Sequence, residues 1–237
     1  MKIKLIFLII ICTQFSCTNK CDSFKQNQNK FYGIDISEYQ EDISRINWEI
    51  IRDNQNPKID FIYLRSTMGK DGVDKSFNEN LRLAKKNNFK VGIYHYYRPN
   101  EKPEEQFINF LNNNRNIGDM PPVVDIEKTS TKGIKDLRKK LYIFLQLIEN
   151  HYGVKPIIYA YQKYYNFYLR NHFKEYEFWI ARHHGIKNKI DRNLPKDEPK
   201  IWGNKCPLIW QYTATGQIKG INSDVDINIT NRKIWTD

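Results

Sequence analysis

Apolar and polar positions along the chain alternate in two periods. The first run, Tyr32-Gly33-Ile34-Asp35-Ile36-Ser37, changes character at every residue. A strand of period two then carries Gly33, Asp35 and Ser37 on one face and apolar residues on the other. Short β-branched or aromatic runs recur at 61–67, 89–97, 123–127, 156–161, 178–181, 208–212 and 225–229, and each reads as a strand. Between them the period lengthens to that of a helix. Helices are predicted over 44–52, 77–88, 101–112 and 134–151, with a short aromatic one over 164–171. The longest carries Leu137, Leu141, Phe144, Leu145 and Ile148 on one side. Residues 69–76 and 187–200 read as loops. Strands that alternate with helices form βαβ units and a parallel sheet. About eight such strands in about 205 residues predict one α/β domain closed into a barrel, with its later helices shortened or missing.

The run 123–127 carries the first candidate chemistry. Asp125 and Glu127 lie two residues apart and so share a face, while Val124 and Ile126 point the other way. Two adjacent acids at the end of a buried strand resist ionisation together, which suits a general acid near neutral pH. The plainer alternative is a strand end where the acids begin a solvated loop. In a barrel, functional groups gather at the carboxyl ends of strands. Asp35, Tyr94, Tyr96, Asp125, Glu127, Tyr159, Trp179, Gln211 and Asp226 all fall on or near that rim. Carboxyl groups beside aromatic rings suit sugar chemistry: an acid protonates the glycosidic oxygen and rings stack on sugar faces. Trp179 and Trp210 fit either core or groove. His95, between two tyrosines on an apolar strand, reads as a hydrogen-bonded core group, and Trp48 as core. Arg65 is expected to pair with an acid. His183 and His184 lack a spacing that would aim both at one ion with Asp191, so no metal site and no cofactor is expected.

The amino-terminal residues change the picture of where the domain works. Lys2 and Lys4 precede the apolar run from Leu5 to Cys12, which is too short to span a bilayer. Residues 1–16 read as an export signal. Ser16-Cys17 resembles a lipoprotein cleavage box with Cys17 as the lipidated residue, followed by a polar tether to residue 30 and a domain over 31–237. The formal net charge is +11. Loss of Lys2 and Lys4 leaves 36 basic against 27 acidic residues, a net of +9. An exported protein of that charge is drawn to acidic envelope polymers and anionic lipids. Its basic residues are scattered singly and in pairs, which argues against nucleic acid. A membrane-anchored monomer in the cell envelope is expected, on the periplasmic or surface side. Of four cysteines, Cys21 and Cys206 remain after the signal and the lipid, and an exported compartment permits a disulfide.

Several segments carry a resemblance. They are Gly33-Ile34-Asp35-Ile36-Ser37 with Gln40, Ile46-Asn47-Trp48, residues 61–69, Asp74-Lys75-Ser76-Phe77-Asn78-Glu79-Asn80, and Gly92-Ile93-Tyr94-His95-Tyr96. Asp125-Ile126-Glu127, Trp179-Ile180-Ala181, Ile209-Trp210-Gln211-Tyr212, Gly220-Ile221 and Val225-Asp226-Ile227-Asn228 follow in order. From about Tyr32 to its end, the chain resembles the Chalaropsis-type lysozymes, glycoside hydrolase family 25. The resemblance implies an irregular TIM-like β/α barrel in a single domain. It also implies cleavage of the β-1,4 bond between N-acetylmuramic acid and N-acetylglucosamine in peptidoglycan. Glu127 matches the proton donor and Asp125 its partner acid. Asp35 and Asp226 match the acids of the first and last strands. Tyr94, Tyr96, Tyr159, Trp179, Trp210 and Gln211 match or neighbour positions lining the sugar groove. Asp125 would either attack the anomeric carbon or orient the substrate's 2-acetamido group, and both routes retain configuration. Two departures stand out. Arg182-His183-His184 follow the Trp-x-Ala segment where a Tyr is usual, and Asn47 stands where Asp is common, a change expected to be structural. A non-catalytic wall-glycan-binding lipoprotein and a binder of anionic surfaces are the alternatives.

Overall fold

The computed structural model describes residues 23–40, 45–183, 194 and 197–236. The signal, Cys17, Cys21, His184 and Asp191 lie outside them. Among the described residues nine strands form one sheet: β1 (Phe31–Ile36), β2 (Ile59–Met68), β3 (Gly72–Val73), β4 (Lys90–Tyr96), β5 (Val123–Asp125), β6 (Ile157–Tyr161), β7 (Phe178–Ala181), β8 (Ile209–Gly216) and β9 (Val225–Thr230). The order is β1-β9-β8-β7-β6-β5-β4-β2-β3, and a further β1–β2 pairing closes eight strands into a barrel with β3 hung outside the ring. Five α-helices accompany it among the described residues: α1 (Trp48–Asp53), α2 (Phe77–Lys86), α3 (Pro103–Asn113), α4 (Ile134–Tyr152) and α5 (Gln162–Tyr164), the last running on as a π-helical turn over Tyr165–Leu169. The chain is thus an α/β barrel.

Local chemistry sets the helix ends. The Asn47 side chain accepts from the Ile50 N–H at 3.1 Å and so caps α1. Asp caps a helix equally well, which explains Asn at this position. Helix α4 stops at Gly153 in the left-handed region. Its apolar side is buried as the spacing predicts, and Phe144 packs against the rings of His95 and Tyr97.

Strand alternation divides the core in two. Ile34, Leu64, Ile93, Val124, Ile126, Ile158 and Ile180 face outward, under the helices. Phe61, Tyr63, Val123, Ile157, Tyr159, Trp179 and Ile209 fill the barrel. Gly92 makes room for this filling, since a Cβ there would stand 2.4 Å from the Tyr63 ring. Trp235 packs edge-on against Phe31, 5.2 Å between ring centroids, beside Phe61 and away from the acid-bearing end. His95 is fully buried between Thr67 Oγ1 (2.8 Å) and Gln106 Oε1 (3.2 Å). Burial lowers its pKa to about 4, so it is a neutral core group.

Four expectations need correction. The sheet is not wholly parallel, because β9 runs antiparallel to both β8 and β1. The segment 217–224 is too short for a crossover helix and makes a hairpin instead. Strand β5 ends at Asp125, although the Ile126 N–H still pairs with the Tyr159 carbonyl and keeps the chain in line to Glu127. The aromatic helix starts earlier and unwinds into the π turn. Trp210 sits on the outer face of β8, fully buried against Phe24 and Tyr212. Its neighbour Gln211 points inward, and period two forbids both from facing the groove.

Candidate active site

The mouth of the barrel is an open cleft of about 210 Å³. Asp35, Asp125, Glu127 and Asp226 all line it, with Tyr94, Tyr96, Tyr159, Trp179 and Gln211. Three routes bring the acids together. Asp35 lies at the carboxyl end of β1. Asp125 and Glu127 follow from β5. Asp226 lies at the amino end of β9 and meets the mouth only because that strand is reversed, pairing in register with Asp35.

Asp35 is held by two amides. Its Oδ2 accepts from Asn228 Nδ2 at 2.7 Å and from Gln211 Nε2 at 3.0 Å. Asn228 is fixed in turn by the Trp179 indole, whose Nε1 donates to Asn228 Oδ1 at 2.9 Å. Gln211 Oε1 receives the Tyr159 hydroxyl at 2.8 Å and lies 2.7 Å from His183 Nε2. Asp35 and Asp226 are also hydrogen-bonded to each other, which requires a proton between them. Burial and the charge of Asp35 raise Asp226 far above the usual carboxyl range, so Asp226 keeps that proton. Burial raises Asp35 to about 6, against the pull of its amide donors.

The other pair is also shifted upward. Burial, then the charges of Glu127 and Asp35, lift Asp125 well above its ordinary value, while Arg65 opposes them. Its Oδ1 is buried without a hydrogen-bond partner. Burial raises Glu127 as well, opposed by Lys128 and by a hydrogen bond from Tyr161. Burial thus favours the neutral form of Asp125, Glu127 and Asp226.

The raised Asp35 has a measurable consequence. An unfolded Asp titrates near 4, roughly two units lower. Between about pH 4 and 6 the folded chain binds the extra proton, so stability falls as pH rises through that window, and the loss is complete above it. Asp35→Asn stays neutral at every pH. Its carbonyl can still accept from the two amides and its NH2 can turn to Asp226. The variant is expected to be more stable than wild type by about 1–3 kcal/mol at pH 7.5, with the gain vanishing near pH 4, as read from denaturant unfolding.

Some cleft residues escape the sequence reading. Tyr39 and Tyr161 form exposed lips, 61% and 41% accessible. Alternation from Tyr159 would have found Tyr161. Arg65 shares a face with Phe61 and Tyr63 and lines the cleft. Its Nε binds Asp74 at 2.9 Å, its Nη2 binds Glu38 at 3.0 Å, and its guanidinium lies over the Tyr39 ring. Asn228, inside a matched segment, is recognisable as a clamp only once β9 is known to be reversed.

Relatives agree with this architecture. The family model of glycosyl hydrolases family 25 matches residues 34–221. The uncharacterized protein YegX of Escherichia coli O6:H1 is 33% identical over 204 residues, covering 84% of this chain and 69% of YegX. A family 25 glycosyl hydrolase from Bacillus anthracis superposes with a TM-score of 0.69 at 26% identity, covering 86% of this chain and 89% of that one. The bacterial lysozyme from Streptomyces coelicolor gives 0.69 at 25% identity, covering 86% and 93%. A closed barrel of eight strands and a match across most of its length make this chain a member of glycosyl hydrolase family 25.

Proposed function

We propose that the protein is a peptidoglycan hydrolase, a muramidase that cuts the β-1,4 bond from N-acetylmuramic acid to N-acetylglucosamine with retention of configuration. The observation that carries this reading is the convergence of four carboxyl groups in one aromatic-walled barrel mouth. Glu127 is the proton donor. It lies nearest the rim and is partly exposed, so a glycosidic oxygen can reach it. Its proton passes to that oxygen as the bond to the anomeric carbon breaks, and the resulting carboxylate later takes a proton from the attacking water. Asp125 comes from the same strand as Glu127 rather than from the far wall.

Burial favours the neutral form of Asp125 in the free cleft. A neutral carboxyl is a poor nucleophile, yet its carbonyl oxygen still accepts from an acetamido N–H. The orienting role, with the substrate's own acetamido oxygen attacking the anomeric carbon, is therefore favoured. Asp35, ionised above about pH 6, stabilises positive charge developing on the ring. Tyr94, Tyr96, Tyr159 and Trp179 shape the groove, with Tyr39 and Tyr161 as stacking lips. Proton NMR of purified peptidoglycan during digestion tests this reading. New β-anomer signals appearing before mutarotation support it, and α-anomers appearing first contradict retention.

The envelope location belongs to the same proposal. It rests on the charged and apolar start of the chain and on the Ser16-Cys17 box. Cys206 is disulfide-bonded, as suits an oxidising compartment. Partition of the expressed chain into a detergent phase checks the anchor, and recovery wholly in the aqueous phase would contradict it.

A further inference from the structure

The clamp on Asp35 contains one residue that the hydrolysis reading leaves without a duty. His183 follows β7 by two residues and is partly exposed at the rim. Its Nε2 lies 2.7 Å from Gln211 Oε1, and its ring meets Tyr161 edge-on at 5.8 Å. The amide of Gln211 has two orientations of equal shape and opposite polarity. Only one puts an N–H donor on Asp35. We propose that His183 is a positioning residue that, by donating its ring N–H to Gln211 Oε1, holds the amide in the orientation that keeps Asp35 ionised.

The chemistry of the partners supports this. Gln211 Nε2 is committed to the Asp35 carboxylate, so Oε1 faces both Tyr159 and His183 and needs donors there. A phenol hydroxyl can rotate to accept, so Tyr159 tolerates either orientation of the amide. A ring N–H cannot. The second amide, Asn228, is already fixed by an indole, which only donates. With hydrogen on Nε2, His183 does for Gln211 what Trp179 does for Asn228.

Other charges bear on Asp35 and must be held constant. They are Asp226 from β9, Asp125 and Glu127 from the β5 segment, Tyr94 from β4, Tyr159 and Tyr161 from β6, and Arg65 from β2. Arg182 adjoins His183 and pairs with Asp197. Two variants of similar length leave all of these in place. His183→Gln keeps a donor and His183→Met has none.

The test is the carboxyl 13C titration of Asp35 in the free protein, with thermal melts confirming that both variants fold. The expected midpoint lies about half to one pH unit higher in His183→Met than in His183→Gln, the effect of weakening one hydrogen bond to the carboxylate. The acid limb of kcat/KM on peptidoglycan should move in the same direction. Equal midpoints in the two variants would overturn the proposal. The inference rests on the hydrolase reading for its functional meaning only. A chain that fails to cut peptidoglycan would defeat that reading and still report the Asp35 midpoint.

Discussion

Glu127→Gln is expected to cleave peptidoglycan about 10²- to 10⁴-fold more slowly than wild type while its melting temperature stays within about two degrees. Gln matches Glu in size and can still accept the Tyr161 hydroxyl, but it has no proton to give. Because Glu127 lies beyond the end of β5 and is partly exposed, the strand pairing around it is unaffected. The loss should fall mainly on kcat, since the proton moves only as the bond breaks. Burial holds the carboxyl above its ordinary range, so wild-type activity should decline as pH rises and Glu127 loses its proton. Glu127→Gln should show no such limb in whatever activity remains. Wild-type rates in purified Glu127→Gln would mean that the proton comes from elsewhere.

Arg65→Met is expected to lower stability by about 3–5 kcal/mol, the cost of leaving a buried charge without its partner. Arg65 binds Asp74 and Glu38 with side chains that are 7%, 1% and 17% exposed. Asp74 Oδ2 also takes the Glu38 N–H at 2.9 Å, so one carboxylate ties β2 to the turn that carries Tyr39. Burial already raises Asp74 against the pull of Arg65, and without the guanidinium it must ionise alone or take up a proton. In a domain of this size the loss corresponds to a fall of roughly 6–20 °C in melting temperature. Function should suffer separately. Tyr39 loses the cation beneath its ring, and Asp125 loses the positive charge that opposes its burial. At a temperature where the variant is fully folded, its KM should rise. A change of less than about 1 kcal/mol in denaturant unfolding would show that Asp74 and Glu38 do not depend on Arg65.

Much of this molecule was legible in the sequence because strands buried on both faces write themselves as β-branched runs. The runs at 61–67, 89–97 and 156–161 each mark a parallel strand, and α4 followed from its apolar side alone. The four acids were legible as rim residues for the same reason: a carboxylate at the end of such a run must face a polar opening. What escaped depended on direction and face. Asp226 lies on the rim as expected, but it does so as the second residue of a reversed strand. It reached the mouth by a hairpin that an eight-residue link could have foretold. Trp210 was grouped with Gln211 although adjacent residues of a strand cannot share a face. The clamp of Asn228, Gln211, Trp179, Tyr159 and His183 joins elements far apart in the chain, and only the closed barrel brings them to one carboxylate. The Arg65 network is similar, since Asp74 and Glu38 lie on loops with no periodic signal.

The acids at the barrel mouth act, on this proposal, on one particular glycosidic bond. The most direct measurement is to digest purified peptidoglycan with the wild-type chain, reduce the new ends and identify them by mass. Reduced muramic acid at the new ends, absent from a parallel digest with Glu127→Gln, is the predicted result. Reduced glucosamine ends, or cut stem peptides with intact glycan, would contradict the account.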